Sequence, residues 1–285
     1  MVTHSERLPA ARPRVLIGLS FLAALVVLAG SSVGAAAATY PNSMASTGDS
    51  ITRAYNDCLL PYVDCPSASW STGTSTAVNS QYLRLRALNS AITGHAHNDA
   101  SGGAKMAHLN GQMSTAVSQR VQYVTVLMGG NDVCTSTLSG MTSVSTFRAQ
   151  FTAAMQTITT GLPRAKVFVA SIPNIYHLWE IFKDNFAART VWSLFGVCQS
   201  LLADPLSTDP DDVARRQAVY QRVAAFNTVL GQVCAQYQKC RFDGNAVFDA
   251  TFTTADITAR DFFHPSVSGQ AKLAAVTWAA SFWAS

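Results

Sequence analysis

The chain has 285 residues, 48% of them hydrophobic and only 13% charged, with a formal net charge of +4 from 20 Lys and Arg against 16 Asp and Glu. Arg7, Arg12, Arg14 and Glu6 all fall in the first 38 residues, so the remainder is close to neutral, and no basic run or stripe points to nucleic acid. The length excludes two independent domains of usual size and suits one α/β domain with a full core.

Residues 1–38 have the layout of an export signal. Arg7, Arg12 and Arg14 give a positive start, Val15 to Leu28 an apolar run, and Gly34 to Ala38 a small-residue exit. The run is short for a membrane span and lacks a stop-transfer flank, so the reading is a cleaved leader rather than an anchor, with no stable membrane insertion. The mature part is then 39–285, secreted and extracellular, and it carries all six cysteines: Cys58, Cys65, Cys134, Cys198, Cys234 and Cys240. An even count in an exported chain argues for disulfides. Six cysteines allow fifteen pairings. The short separations of Cys58 from Cys65 and of Cys234 from Cys240 favour two local loops and leave Cys134 with Cys198. A zinc site is the competing reading, without a Cys-x-x-Cys pair to support it.

Taken in chain order, short β-branched apolar runs alternate with helical stretches. Ser43 to Thr47 is a weak strand candidate. Helical spacing follows over Ala104 to Ser118. Val121 to Met128 is a nearly continuous apolar run, the pattern of a strand buried on both faces of a parallel sheet. Thr142 to Thr160 reads as a helix, with Phe147, Phe151, Met155 and Ile158 on one face. Lys166 to Ile172 repeats the buried-strand pattern. Residues 175–203 are irregular and rich in large apolar side chains, Tyr176, Trp179 and Phe182 among them. This insertion either lines an acyl-chain pocket or forms a partial lid, or else it is a small helical subdomain packing its own core. Asp212 to Tyr237 and Ser266 to Trp283 read as helices, with Ala246 to Phe248 a further weak strand. Such alternation implies right-handed crossovers and a three-layer α/β/α sandwich, whose ligands bind outside the carboxyl ends of the strands.

Three short segments carry the chemistry. In Thr47-Gly48-Asp49-Ser50 a serine follows a strand through a tight glycine turn, so its hydroxyl projects over the sheet edge and its N–H is free at the start of a helix. In Gly129-Gly130-Asn131-Asp132, after the strongest strand, the Asn131 amide can donate to a developing negative charge, though Asn and Gly are also ordinary turn residues. In Asp261-Phe262-Phe263-His264-Pro265, Pro265 suits the first helical position and keeps His264 on a turn, where Asp261 can reach the imidazole nitrogen facing away from Ser50. Asp49 and Asp132 read as turn-stabilising carboxylates. His95 and His97 read as part of a solvated loop rather than as metal ligands. A Gly-x-Ser-x-Gly elbow is absent from the mature part, and His-Glu-x-x-His and P-loop motifs are absent from the chain.

With these residues in place, the chain resembles the SGNH hydrolases, also called the GDSL lipase/esterase family. Ser50 in Ser46-Thr47-Gly48-Asp49-Ser50-Ile51-Thr52 matches the first block, Asn131 the third, and Asp261 and His264 the last. Asn98-Asp99-Ala100-Ser101-Gly102-Gly103-Ala104-Lys105-Met106 is similar to the second block and aligns Gly103 with the oxyanion glycine, with Gly102 the adjacent alternative. The resemblance implies a flavodoxin-like five-stranded parallel sheet, a Ser50-His264-Asp261 triad, an oxyanion hole of Ser50, Gly103 and Asn131, no metal or other cofactor, and three sequential disulfides. It also implies a monomer acting on a small-molecule, lipid or carbohydrate ester. Ester hydrolysis, on lipid or acetyl-sugar esters, stands against a non-catalytic polysaccharide- or cell-wall-binding module on the same fold, for which a full Ser, His and Asp set has no use.

Overall fold

The run at Val121 to Met128 forms the middle of the sheet. The computed structural model describes residues 1–5, 10–11 and 40–284; the expected export signal falls mostly outside them. The chain divides into Met1–Ala37 and Ala38–Ser285, and the sheet belongs to the second unit. Five strands among the described residues, β1 (Met44–Gly48), β2 (Ala96–Asn98), β3 (Tyr123–Leu127), β4 (Lys166–Val169) and β5 (Cys240–Phe242), make one sheet in the order β2-β1-β3-β4-β5. Every pairing is parallel, and Gly48 at the end of β1 lies opposite Leu127 at the end of β3.

The helices are α1 (Gln81–Leu88), α2 (Met106–Ser118), α3 (Gly130–Val133), α4 (Val144–Gly161), α5 (Ile175–Phe182), α6 (Phe186–Leu194), α7 (Gln199–Leu202), α8 (Pro210–Cys234) and α9 (Val267–Ala279). Side chains of β3 alternate between two cores. Val124 and Val126 join α2, α4 and α8 on one face, while Tyr123 and Leu127 join α1 and α9 on the other. Phe147 of α4 stacks on Phe226 of α8 with centroids 3.9 Å apart, which ties two helices of the first layer together. The three-layer α/β/α expectation therefore holds. Among the described residues, no helix is long and apolar enough to cross a membrane.

Several local expectations are corrected. Ala246 to Phe248 is a turn rather than a strand, because Asp243 accepts from the N–H groups of Asn245 and Val247, both at 3.0 Å, and curls the chain back. The fifth strand is Cys240–Phe242 instead. His97 lies on edge strand β2, not in a loop. No helix follows Ser50 directly: Ala54 and Asn56 take left-handed φ values of 49° and 73°, and residues 50–56 form consecutive turns. Pro265 precedes the last helix, whose cap is Ser266, and bridges antiparallel to Ile257. The insertion over 175–203 is three helices. Its Phe182, Trp192, Leu201 and Leu202 enter the main core, so it is no separate subdomain.

Candidate active site

The strand order reverses between β1 and β3, and their carboxyl ends deliver two of the three motif segments side by side. Gly48 makes the turn after β1 with φ of 146°, and a Cβ there would stand 2.4 Å from the Leu127 carbonyl oxygen, so the close approach of the two strand ends requires glycine. Gln112 of α2 clamps this point from both sides, accepting from Gly48 N–H at 2.8 Å and donating to Gly48 C=O at 2.9 Å. Gln270 of α9 bridges the segment after Ser50 to a second one, donating to Ile51 C=O at 2.8 Å and accepting from Trp70 N–H at 3.0 Å. Ser50 is thereby held over the sheet edge by two buried amides from opposite layers.

His264 Nε2 lies 2.8 Å from Ser50 Oγ, and His264 Nδ1 lies 2.8 Å from Asp261 Oδ2. Asp261 Oδ1 accepts from the N–H groups of Phe263 and His264, each at 2.9 Å, which folds the turn around the carboxylate. The segment before it fixes the turn from outside: Thr258 N–H donates to His264 C=O at 2.9 Å, and Ser266 N–H to Asp256 C=O at 2.8 Å. Burial opposes ionisation of Asp261, but the bonds from His264 and the two N–H groups outweigh it and hold the carboxyl below its ordinary range. Asp261 is thus a carboxylate at neutral pH.

Asn56 completes this group and carries no motif. Its Nδ2 donates to Asp261 Oδ2 and its Oδ1 accepts from Tyr62 N–H, so one buried side chain joins the Asp261 carboxylate to the loop closed by Cys58 and Cys65. Arg260 braces the same loop by donating to the carbonyls of Asn56, Cys58, Leu59 and Leu60. Beside it, Asp57 has one carboxylate oxygen buried without a hydrogen-bond partner. Burial pushes that carboxyl up to about 7 against the pull of His264 and Arg260.

Asn131 stands at the start of α3 and shares a cleft wall with Ser50. One N–H of its amide is spent on Ala104 C=O at 3.1 Å. That bond ties Asn131 to the turn containing Gly103, whose φ of 72° is left-handed; Gly102 is not in that region. Neither Ser50 N–H nor Gly103 N–H donates to another described residue. Asp49 holds its own turn, as read from the sequence, whereas Asp132 ties distant segments together. Asp132 accepts from Met106 N–H at 2.8 Å, starting α2, and from Thr142 Oγ1 at 2.7 Å. Asp49 accepts from Ile51 N–H at 3.0 Å.

An apolar cleft opens at Ser50 and Asn131 and is walled by Ile172, Ile175, Leu178, Ile181, Phe252, Ile257 and Phe263. The insertion supplies part of this wall, but through a different face of α5 from the one expected. Ile175, Leu178 and Ile181 recur at three-residue spacing toward the cleft, whereas Tyr176, Trp179 and Phe182 do not line it. Trp179 Nε1 donates to Pro205 C=O at 2.9 Å, Tyr176 packs against Tyr220, and Phe182 packs against Phe262. Asn174 caps α5 by accepting from the N–H groups of Tyr176 and His177, and this cap sets the face presented to the cleft.

The disulfides join Cys58 with Cys65, Cys134 with Cys198, and Cys234 with Cys240. The second ties the insertion to the residue after α3, close behind Asn131.

A model of the GDSL-like lipase/acylhydrolase family matches residues 46–276. Among solved structures, the chain is similar to the extracellular lipase of Streptomyces rimosus, with 16% identity, a TM-score of 0.50, and coverage of 84% of this chain and 99% of that one. Phospholipase A1 of Streptomyces albidoflavus NA297 matches with 18% identity and a TM-score of 0.45 over 81% and 95% of the two chains. A family 3 carbohydrate esterase of Clostridium thermocellum matches with 15% identity and a TM-score of 0.48 over 83% and 92%. No curated protein sequence matches the chain.

Proposed function

The chain belongs to the GDSL-like lipase/acylhydrolase family and is a carboxylic ester hydrolase, and from that premise we propose that it is an exported serine hydrolase cleaving esters of apolar acyl groups through an acyl-enzyme on Ser50. The observation that carries this reading is the continuous relay from Ser50 Oγ through His264 to Asp261 at the mouth of an apolar cleft.

His264 Nε2 takes the Ser50 proton as Oγ attacks the ester carbonyl carbon, and Asp261 holds the imidazole in the tautomer that leaves Nε2 free to accept. The carbonyl oxygen becomes an anion. The Ser50 and Gly103 N–H groups and the second N–H of Asn131 are the donors for it, and losing one such donor typically costs ~10²-fold to 10³-fold in rate. Collapse of the tetrahedral adduct breaks the bond to the alcohol oxygen, which receives the proton from His264. Water, deprotonated by the same imidazole, then attacks the acyl carbon and frees the acid and the serine.

The walls of the cleft support an apolar acyl group over an acetyl-sugar ester, since Ile175, Leu178, Ile181 and Ile257 offer no hydrogen bonds. Three disulfides and the leader composition support export. The test is hydrolysis of p-nitrophenyl esters from acetate to palmitate by the purified mature protein beside Ser50→Ala. Each methylene entering the cleft is worth about 0.8 kcal/mol, roughly fourfold in kcat/KM, so the wild type should climb beyond acetate while the variant stays inert. Folded wild type inert on every ester would favour a binding module, and an active Ser50→Ala would remove the proposed nucleophile.

A further inference from the structure

A second groove meets the triad from the other side. Phe263 is a common wall: the acyl cleft lies on its Ser50 face, and a groove runs from His264 between Tyr55, Tyr62, Val191, Phe195 and Val197. Its two banks are separate elements, each anchored to the triad. The Tyr62 bank is the disulfide loop held by Asn56 and Arg260. The Phe195 bank is the end of α6, fixed by Trp192 Nε1 donating to Phe262 C=O at 3.1 Å. The two rings approach across the groove with centroids 6.4 Å apart.

The charged groups on this groove are already engaged. The Arg260 guanidinium is spent on four carbonyls, and Asp261 on His264, two N–H groups and Asn56. What remains toward a ligand is mainly apolar and aromatic, with the Tyr55 and Tyr62 hydroxyls as its polar atoms, and the same two banks carry Leu59, Leu60 and Leu194, which are 93%, 68% and 73% exposed. Exposed apolar side chains gathered in this way mark a binding surface rather than the scattered exposure of an ordinary surface.

Proton transfer gives the groove its role. The imidazolium must hand its proton from Nε2 to the departing alcohol oxygen, so the alcohol portion of a bound ester lies on the His264 side of Ser50 and the acyl portion on the other. We propose that the groove between Tyr62 and Phe195 is the subsite for the alcohol portion of the substrate, and that it takes an alkyl chain, so that the favoured esters are apolar on both sides of the scissile bond. This rests on the ester-hydrolase reading and extends it to the leaving group.

The experiment holds the acyl group constant and varies the alcohol: methyl, butyl and octyl butyrate and a glucose butyrate, followed by pH-stat below their aggregation limits. The wild type should show kcat/KM at least tenfold higher for octyl than for methyl butyrate, with the glucose ester no better than methyl. In Tyr62→Ser/Phe195→Ser the octyl-to-methyl ratio should fall at least fivefold, while Leu206→Ser, an exposed site away from the groove, keeps the wild-type ratio. Both groove positions are exposed, so the double variant is expected to fold, and its thermal transition checks this. A flat alcohol profile, a preference for the glucose ester, or an unchanged ratio in the double variant would overturn the subsite while leaving the acyl-series result standing. Inertness toward every ester would overturn the hydrolase reading and the subsite together.

Discussion

Asp49 precedes Ser50 in the turn after β1 and is 1% exposed. Burial is the main cause that pushes its carboxyl up to about 6; the N–H of Ile51 and the charge of His264 pull against it, and Asp132 adds to it. The folded protein therefore keeps a proton on Asp49 that the unfolded chain releases near pH 4. The stabilisation from that proton is complete below the unfolded value and is lost as pH rises through about 6. Between pH 4.5 and 8 the loss amounts to about 2 kcal/mol. Asp49→Asn keeps an acceptor for Ile51 N–H and cannot ionise. Its melting temperature relative to wild type should rise by roughly 4–8 °C from pH 4.5 to pH 8. Equal differences at the two pH values would show that Asp49 is not protonated in the fold.

At the scale of elements, the proposed acyl cleft makes α5 the wall that should select acyl length. Leu178→Trp places an indole in the cleft and should shorten the preferred acyl chain by two or more carbons in the p-nitrophenyl series. Trp179→Ala, on the face toward Pro205 and Arg216, should lower the melting temperature and leave chain-length preference as it is. The opposite pattern would reassign the wall. Here the sequence was legible only in part. Large apolar residues were visible in 175–203, but which helix face meets the cleft depends on the Asn174 cap and on packing against α8. β3 and β4 were legible because both their faces are buried, giving nearly continuous apolar runs. β2 and β5 are three-residue edge strands reading Ala-His-Asn and Cys-Arg-Phe, half-exposed and without such a run. Ser50, Asn131, Asp261 and His264 were legible because each sits in a short turn motif beside a strand end or before the last helix. Asn56, Gln112 and Gln270 were not, since each acts on a partner far along the chain with no local pattern to mark it.

For the whole molecule, the three disulfides are unequal. Cys134 and Cys198 are 64 residues apart, Cys58 and Cys65 7, and Cys234 and Cys240 6. In the chain-entropy account the long loop is worth about 4 kcal/mol and each short one about 2. Cys134→Ala/Cys198→Ala should therefore lower the urea midpoint more than either other double variant. It should also weaken activity, because the bridge fixes the insertion behind Asn131; equal losses from all three pairs would contradict that ranking. The central claim is that Ser50 becomes covalently acylated because His264 activates it. Its most direct measurement is labelling of the mature protein with a fluorophosphonate, followed by peptide mass mapping. One stoichiometric adduct is expected on Ser50, formed in step with loss of esterase activity and absent from His264→Ala. An adduct on another serine, or activity that survives complete labelling of Ser50, would contradict it.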